Sequence, residues 1–203
     1  AQLAKPLVLH NFYVPAGGDI PDPALNPKFD HKLKFLDEMK ACEPLHPRGD
    51  DRHILVGDLN VAPHENDVWS HKQLLKVVSH TPIECEKLVA AQKDGGWVDA
   101  MRMLVPEPAK LYTWWSYRSP DWATADKGRR LDHVWVAPAL ADRVADLYRE
   151  RLPLLPGAVE SVRLLAKEWP LAVASSSNRH VIDLAVELAG LEEEFRATVS
   201  SEE

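Results

Sequence analysis

The chain has 203 residues, 45% hydrophobic and 27% charged, an ordinary composition for a water-soluble protein with room for one sizeable core or two small ones. A net charge of −7 argues against broad non-specific binding to nucleic acid, and no apolar run approaches the length of a transmembrane helix. The acidity is uneven: residues 144–203 carry 6 Lys or Arg against 11 Asp or Glu, while residues 1–143 carry 18 against 20. Cys42 and Cys85 have no metal-ligand or disulfide spacing, and the nine His residues fall in no zinc pattern, so reduced thiols in a cytoplasmic protein are expected. The first residues lack the charged segment and long apolar core of a secretory signal.

Strands and helices alternate along the chain, which predicts an α/β class. Lys5 to Val14 reads as a buried strand running into a Pro- and Gly-rich loop. A helix is expected from Phe29 to Met39, with Phe29, Leu33, Phe35, Leu36 and Met39 in one apolar stripe. After the Ile54–Val56 strand and a polar loop, Thr81-Pro82 opens a helix that should end before Gly95-Gly96. Leu111 to Tyr117 has the β-branched and aromatic content of a strand, and Leu131 to Val136 is a second strand with Asp132 at its mouth.

From Pro138 the pattern changes. Helices are expected over 139–151, over 157–169 with Val159, Val162, Leu165 and Ala166 inward, and over 179–188 with Gly190 closing the last. A short buried strand, Leu171 to Ala174, lies between the second and third. It runs into Ser175-Ser176-Ser177-Asn178, which serves either as a helix N-cap or as a cradle of donors for phosphate.

The stretch HILVGDLNVAP, His53 to Pro63, carries the most chemistry. Asp58 and Asn60 lie two apart and would share one face of an extended strand end. A carboxylate beside an amide can hold and orient water next to a metal-bound phosphate. The same two residues also suit an ordinary turn at a strand exit.

Residues 8 to about 143 resemble the exonuclease III family of DNA-repair nucleases in its bacterial form. The resemblance rests on NFYVPAGG, KFDHKLKFLDEM, ILVGDLNVAP, DVWSHKQLLKVVSHTP, GWVDAMR, KLYTWWSYRS and KGRRLDHVWV, which occur in the family's order. It implies the endonuclease/exonuclease/phosphatase fold, two mixed β-sheets packed face to face with helices outside. It also implies hydrolysis of phosphodiesters in double-stranded DNA, at 3′ ends and abasic sites, with Mg²⁺ or Mn²⁺. In this resemblance Asn11 and Tyr13 contact phosphate, Asp58 positions the attacking water, and Asn60 orients the scissile phosphate. Asp132 supports a catalytic His, and Asp58, Asn60 and Asp132 form the metal side of the site. Trp114 probes the DNA, and Arg118, Arg129 and Arg130 pair with phosphates. The family's Gln-Glu pair, whose Glu is the principal metal ligand, and its closing Ser-Asp-His have no match in this sequence. His133 adjoins Asp132 but should face the other side of its strand. Little turnover and uncovered sheet surface are therefore expected.

Residues 147–203 resemble the haloacid-dehalogenase-like phosphatases of the phosphoglucomutase kind, an α/β fragment of Rossmann-like type. There Ser175 would grip the transferred phosphate, while the nucleophilic DxD word of that family is missing. The two resemblances predict a nuclease part over 1–143 and a second part over 144–203. They leave two alternatives to the nuclease reading, a phosphomonoester hydrolase and a non-catalytic chimera of two enzyme fragments.

Overall fold

The computed structural model describes residues 6–116, 122–143, 157–174 and 179–199. The chain divides into two compact units, one of residues 1–114 and 127–143, the other of residues 115–126 and 144–203.

The first unit is built on one four-stranded sheet. Strand β1 (Leu7–Tyr13) runs parallel to β2 (Arg52–Asp58), joined by helix α1 (Pro27–Ala41). The aliphatic and aromatic content of β1 suits a pleated surface. Helix α1 starts where the sequence supplies an N-cap and a first-turn proline: the Asn26 side chain accepts a hydrogen bond from the Lys28 N–H and Pro27 follows it. After two helical turns, a 3₁₀ turn at Glu65–Asp67 and α2 (His71–Leu74), the chain enters α3 (Pro82–Asp94) through a reciprocal capping box of Thr81 and Glu84. Strand β3 (Val98–Asp99) leads into α4 (Ala100–Leu104), and β4 (Asp132–Val136) returns between β2 and β3, antiparallel to both. The sheet order is therefore β1-β2-β4-β3. Residues 138–143 are helical (α6), and the rest of the helix expected over 139–151 lies outside the described residues.

Helices α1 and α3 cover one face of this sheet. Leu36, Met39 and Leu88 pack there against Leu55 and Trp135 from the inner face of β2 and β4. The opposite face is open along β1, where Leu9 is 63% exposed and Leu7, Leu9, Asn11 and Tyr13 all project outward in alternation.

Three expectations need correction. The described residues of the first unit form one sheet, not two packed face to face; a two-stranded sheet lies among the described residues of the second unit. The stretch Leu111 to Tyr117 makes only isolated bridging at Trp114 within the described residues. Its backbone divides between partners, Leu111 donating to Asn66 and Trp114 exchanging two hydrogen bonds with Arg129, so no ladder can propagate. The loop after Pro63 is partly helical rather than irregular.

In the second unit, α5 (Trp122–Ala125) is followed in sequence by α7 (Ala158–Ala166). Strand β5 (Leu171–Ala174) then runs parallel to β6 (Phe195–Val199), with α8 (Arg179–Ala189) between them, a βαβ unit. Gly190 closes α8 in the left-handed conformation, φ 62°. Helix α7 is shorter than the expected 157–169, and its Leu165 is 45% exposed rather than inward.

Candidate nuclease site

Strand register assembles three of the expected residues. Tyr13 at the end of β1 pairs with Asp58 at the end of β2, and Asp58 pairs across the other side with Asp132 at the start of β4. Residues paired across neighbouring strands share a face, so Tyr13, Asp58 and Asp132 form a row at one end of the open face. Tyr13 is 68% exposed, and Asn11 lies on the same face two residues earlier.

Gly57 permits this row. Its φ is 139°, and a Cβ there would stand 1.9 Å from the Phe12 carbonyl oxygen, so only glycine lets β1 and β2 meet beside Asp58.

The chain then leaves the strand sooner than its periodicity suggests. Asn60 has φ 52°, a left-handed conformation that Asn tolerates, and it does not share a strand face with Asp58. It still serves Asp58. The Asn60 N–H donates to Asp58 Oδ1 at 3.0 Å, and Asn60 Nδ2 donates to the Val14 carbonyl at 2.9 Å, fixing the two strand exits together. Burial raises the Asp58 carboxyl above its ordinary 3.8; Asn60 opposes the shift and the Asp132 carboxylate adds to it.

On the other flank Thr113 Oγ1 accepts the N–H groups of Leu131 and Asp132 at 3.0 and 2.9 Å. Trp114, 36% exposed, follows, with the Arg129 guanidinium 5.7 Å from its ring centre. Arg129 is in turn held by Ser79 Oγ at 2.9 Å.

Other expected residues go elsewhere. Arg130 is fully buried, and its guanidinium grips both Asp99 oxygens at 2.7 and 2.6 Å, so it ties β4 to the start of α4 instead of reaching outward to phosphate. His133 faces the helix-covered side, buried, its Nε2–H donating to the Val61 carbonyl at 2.8 Å; burial holds its pKa well below 6.5. Arg118 and Ser175 lie outside the described residues.

Two residues with no assigned role prove central. Lys32 and Glu84 are completely buried and 2.5 Å apart, and the Lys32 ammonium donates to the Asn60 carbonyl at 2.7 Å. Lys32 lies three residues after Phe29, at the edge of the apolar stripe of α1, where a lysine reads in sequence as solvent-facing.

The model of the Endonuclease/Exonuclease/phosphatase family matches residues 4–175. The chain belongs to this family. Its match continues past residue 143, the expected end of the nuclease part, and the comparisons give no support to a haloacid-dehalogenase relationship or to a chimera. Exodeoxyribonuclease III of Haemophilus influenzae is 27% identical over 147 residues, which are 70% of this chain and 53% of that protein. Among solved structures, an AP endonuclease from Archaeoglobus fulgidus superposes with a TM-score of 0.60 at 27% identity, over 66% of this chain and 50% of that one. The 3′ phosphatase NExo from Neisseria, bound to a product DNA hairpin, gives a TM-score of 0.58 at 26% identity, over 66% and 49%. The chain spans about half or less of the length of the curated relatives it matches.

Members of the Endonuclease/Exonuclease/phosphatase family are typically metal-dependent. The donor set here fits a hard divalent cation in part: the carboxylates of Asp58 and Asp132 sit on register-paired residues, and their mutual repulsion would be relieved by positive charge. The Asn60 amide nitrogen is committed to Val14. Among the described residues no group of three or more His, Cys, Asp or Glu could hold a metal ion, and no helix is long and apolar enough to cross a membrane.

Proposed function

We propose that the chain carries the site of a Mg²⁺-dependent DNA-repair nuclease of the exonuclease III type, acting on double-stranded DNA at 3′ ends and abasic sites. The observation that carries this reading is the row Tyr13, Asp58, Asp132 on one sheet end, beside an exposed Trp114 backed by Arg129.

Asp58 and Asp132 would hold Mg²⁺ (or Mn²⁺), which would supply Lewis-acid polarisation of the phosphodiester. Asp58 is the group suited to orient the attacking water, because burial and its carboxylate neighbour make it a better proton acceptor than a free Asp. Tyr13 offers a phenol toward phosphate from an exposed strand end, with Asn11 on the same face. Trp114 presents a ring for stacking where a base is missing.

Two carboxylates bind Mg²⁺ weakly, so slow turnover is expected at millimolar Mg²⁺. The test is nicking of a duplex with a single abasic site. Cleavage should require Mg²⁺ and vanish in Asp58→Ala and Asp132→Ala. Cleavage that persists in Asp58→Ala, or a chain that neither binds nor cuts the duplex, would overturn the proposal.

A further inference from the structure

We propose that the buried Lys32–Glu84 pair is a positioning device that sets the Asp58–Asn60 turn and links it to the Trp114 flank. The inference rests on reading Asp58 and Asn60 as site residues.

The Lys32 ammonium has three N–H donors and three oxygen partners. It meets Glu84 Oε2 at 2.5 Å, the Asn60 carbonyl at 2.7 Å and the Ala16 carbonyl at 3.4 Å. Those partners come from three segments. Ala16 follows Tyr13 and Val14 after β1, Asn60 follows Asp58 after β2, and Glu84 lies in the first turn of α3. One ammonium thus fixes both strand exits that carry the row.

The loop packed over it is shaped to match. A Cβ on Gly17, whose φ is 89°, would lie 2.9 Å from Lys32 Cδ, so the glycine lets the loop close over the lysine stem. Desolvation lowers the Lys32 pKa, while Glu84 opposes that shift. A charge so deeply buried persists only because it is paired and hydrogen-bonded.

Glu84 carries the link onward. Its Oε1 accepts from the Ser79 N–H at 2.8 Å, the Thr81 N–H at 2.9 Å and the Thr81 hydroxyl at 2.8 Å. The Ser79 hydroxyl holds Arg129, and Arg129 lies over Trp114. A continuous chain of polar contacts therefore runs from the strand exits to the exposed indole.

A purely structural pair and a positioning pair separate in the double variant Lys32→Met/Glu84→Gln. The amide introduced by Glu84→Gln keeps the oxygen that caps α3, and both charges leave together, so most of the thermal stability lost in Lys32→Met alone should return. The Asn60 carbonyl would still have lost its donor. Amide exchange at the Asn60 N–H and Nδ2 groups, read by ¹⁵N NMR, should be at least tenfold faster than in wild type, while exchange in α1 and α3 stays near wild type. The Mn²⁺ concentration that half-broadens the Asp58 and Asp132 signals should rise at least fivefold. Wild-type exchange at Asn60 in the double variant would overturn the inference.

Wild-type protein offers a second measurement that needs no variant: the Lys32 ¹⁵Nζ signal should be visible at neutral pH through slow proton exchange, and a fast-exchanging ammonium would overturn the inference. Absence of Mn²⁺ broadening in wild type would count against the nuclease reading alone, since the Asn60 and Lys32 exchange readouts need no metal.

Discussion

Replacing Gly57 by Ala should uncouple the row while leaving its side chains intact. The new methyl would sit 1.9 Å from the Phe12 carbonyl oxygen, 2.9 Å from its carbonyl carbon and 3.1 Å from its nitrogen. All three are backbone atoms, so no side chain can rotate away. Restoring ordinary contact would require β1 and β2 to part by about 1.5 Å at this point, far enough to break the Val14 N–H to Asp58 hydrogen bond, now 2.9 Å. A non-glycine residue at φ 139° costs about 1–3 kcal/mol, and forced overpacking about 1–3 kcal/mol more. The sum, about 2–6 kcal/mol, corresponds to a fall in Tm of at least about 4 °C for a chain this size. Circular dichroism melts of Gly57→Ala and wild type measure it. A Tm within a degree of wild type would refute the account of why glycine precedes Asp58.

Other outcomes follow from single groups. Thr113→Val should cost about 1–3 kcal/mol in denaturant unfolding, because it strips the acceptor from the Leu131 and Asp132 N–H groups; an unchanged midpoint would contradict the capping role. His133 is buried and neutral, with a folded pKa well below 6.5. The unfolded chain therefore takes the proton first: stability is fully present above pH 6.5 and falls by about 1.4 kcal/mol per pH unit below it for this group. Melts from pH 7.5 to 5.5 should show at least that slope, and His133→Gln should reduce it without abolishing it, because burial also lowers His80 and His10. Burial pushes the Cys85 thiol up to about 12, whereas Cys42 is only partly buried, so a thiol reagent at pH 8 should label Cys42 first in the folded protein. Equal labelling rates would sink that prediction.

Much of the first unit was legible because local signals and packing agree. The apolar stripe from Phe29 to Met39 announces α1, although the helix starts two residues earlier at Pro27 behind the Asn26 cap, in a stretch that reads as loop; Thr81-Pro82 with Glu84 marks α3, and the apolar runs of β1, β2 and β4 announce strands. Periodicity failed where backbone geometry broke it. Asn60 turns left-handed, so counting by two placed it on the wrong surface, and Trp114 stops pairing after its bridge to Arg129. Charge proved a poor guide to exposure: Arg130 reads as a phosphate ligand in sequence, yet Asp99 on a neighbouring strand claims it. Lys32 was hidden for the opposite reason, since a lysine within an apolar stripe reads as an exposed edge until its three oxygen partners, distant in sequence, are seen. The row of Tyr13, Asp58 and Asp132 depends on register between three strands, which no single stretch encodes.

The proposed function requires Asp58 and Asp132 to act together as one cation-binding end of the sheet. Titrating Mn²⁺ into ¹⁵N,¹³C-labelled protein tests it directly. The signals of Tyr13, Asp58, Asn60 and Asp132 should broaden first, and Asp58→Asn/Asp132→Asn should abolish the effect. Broadening centred elsewhere in the first unit, or unchanged in the double variant, would contradict it.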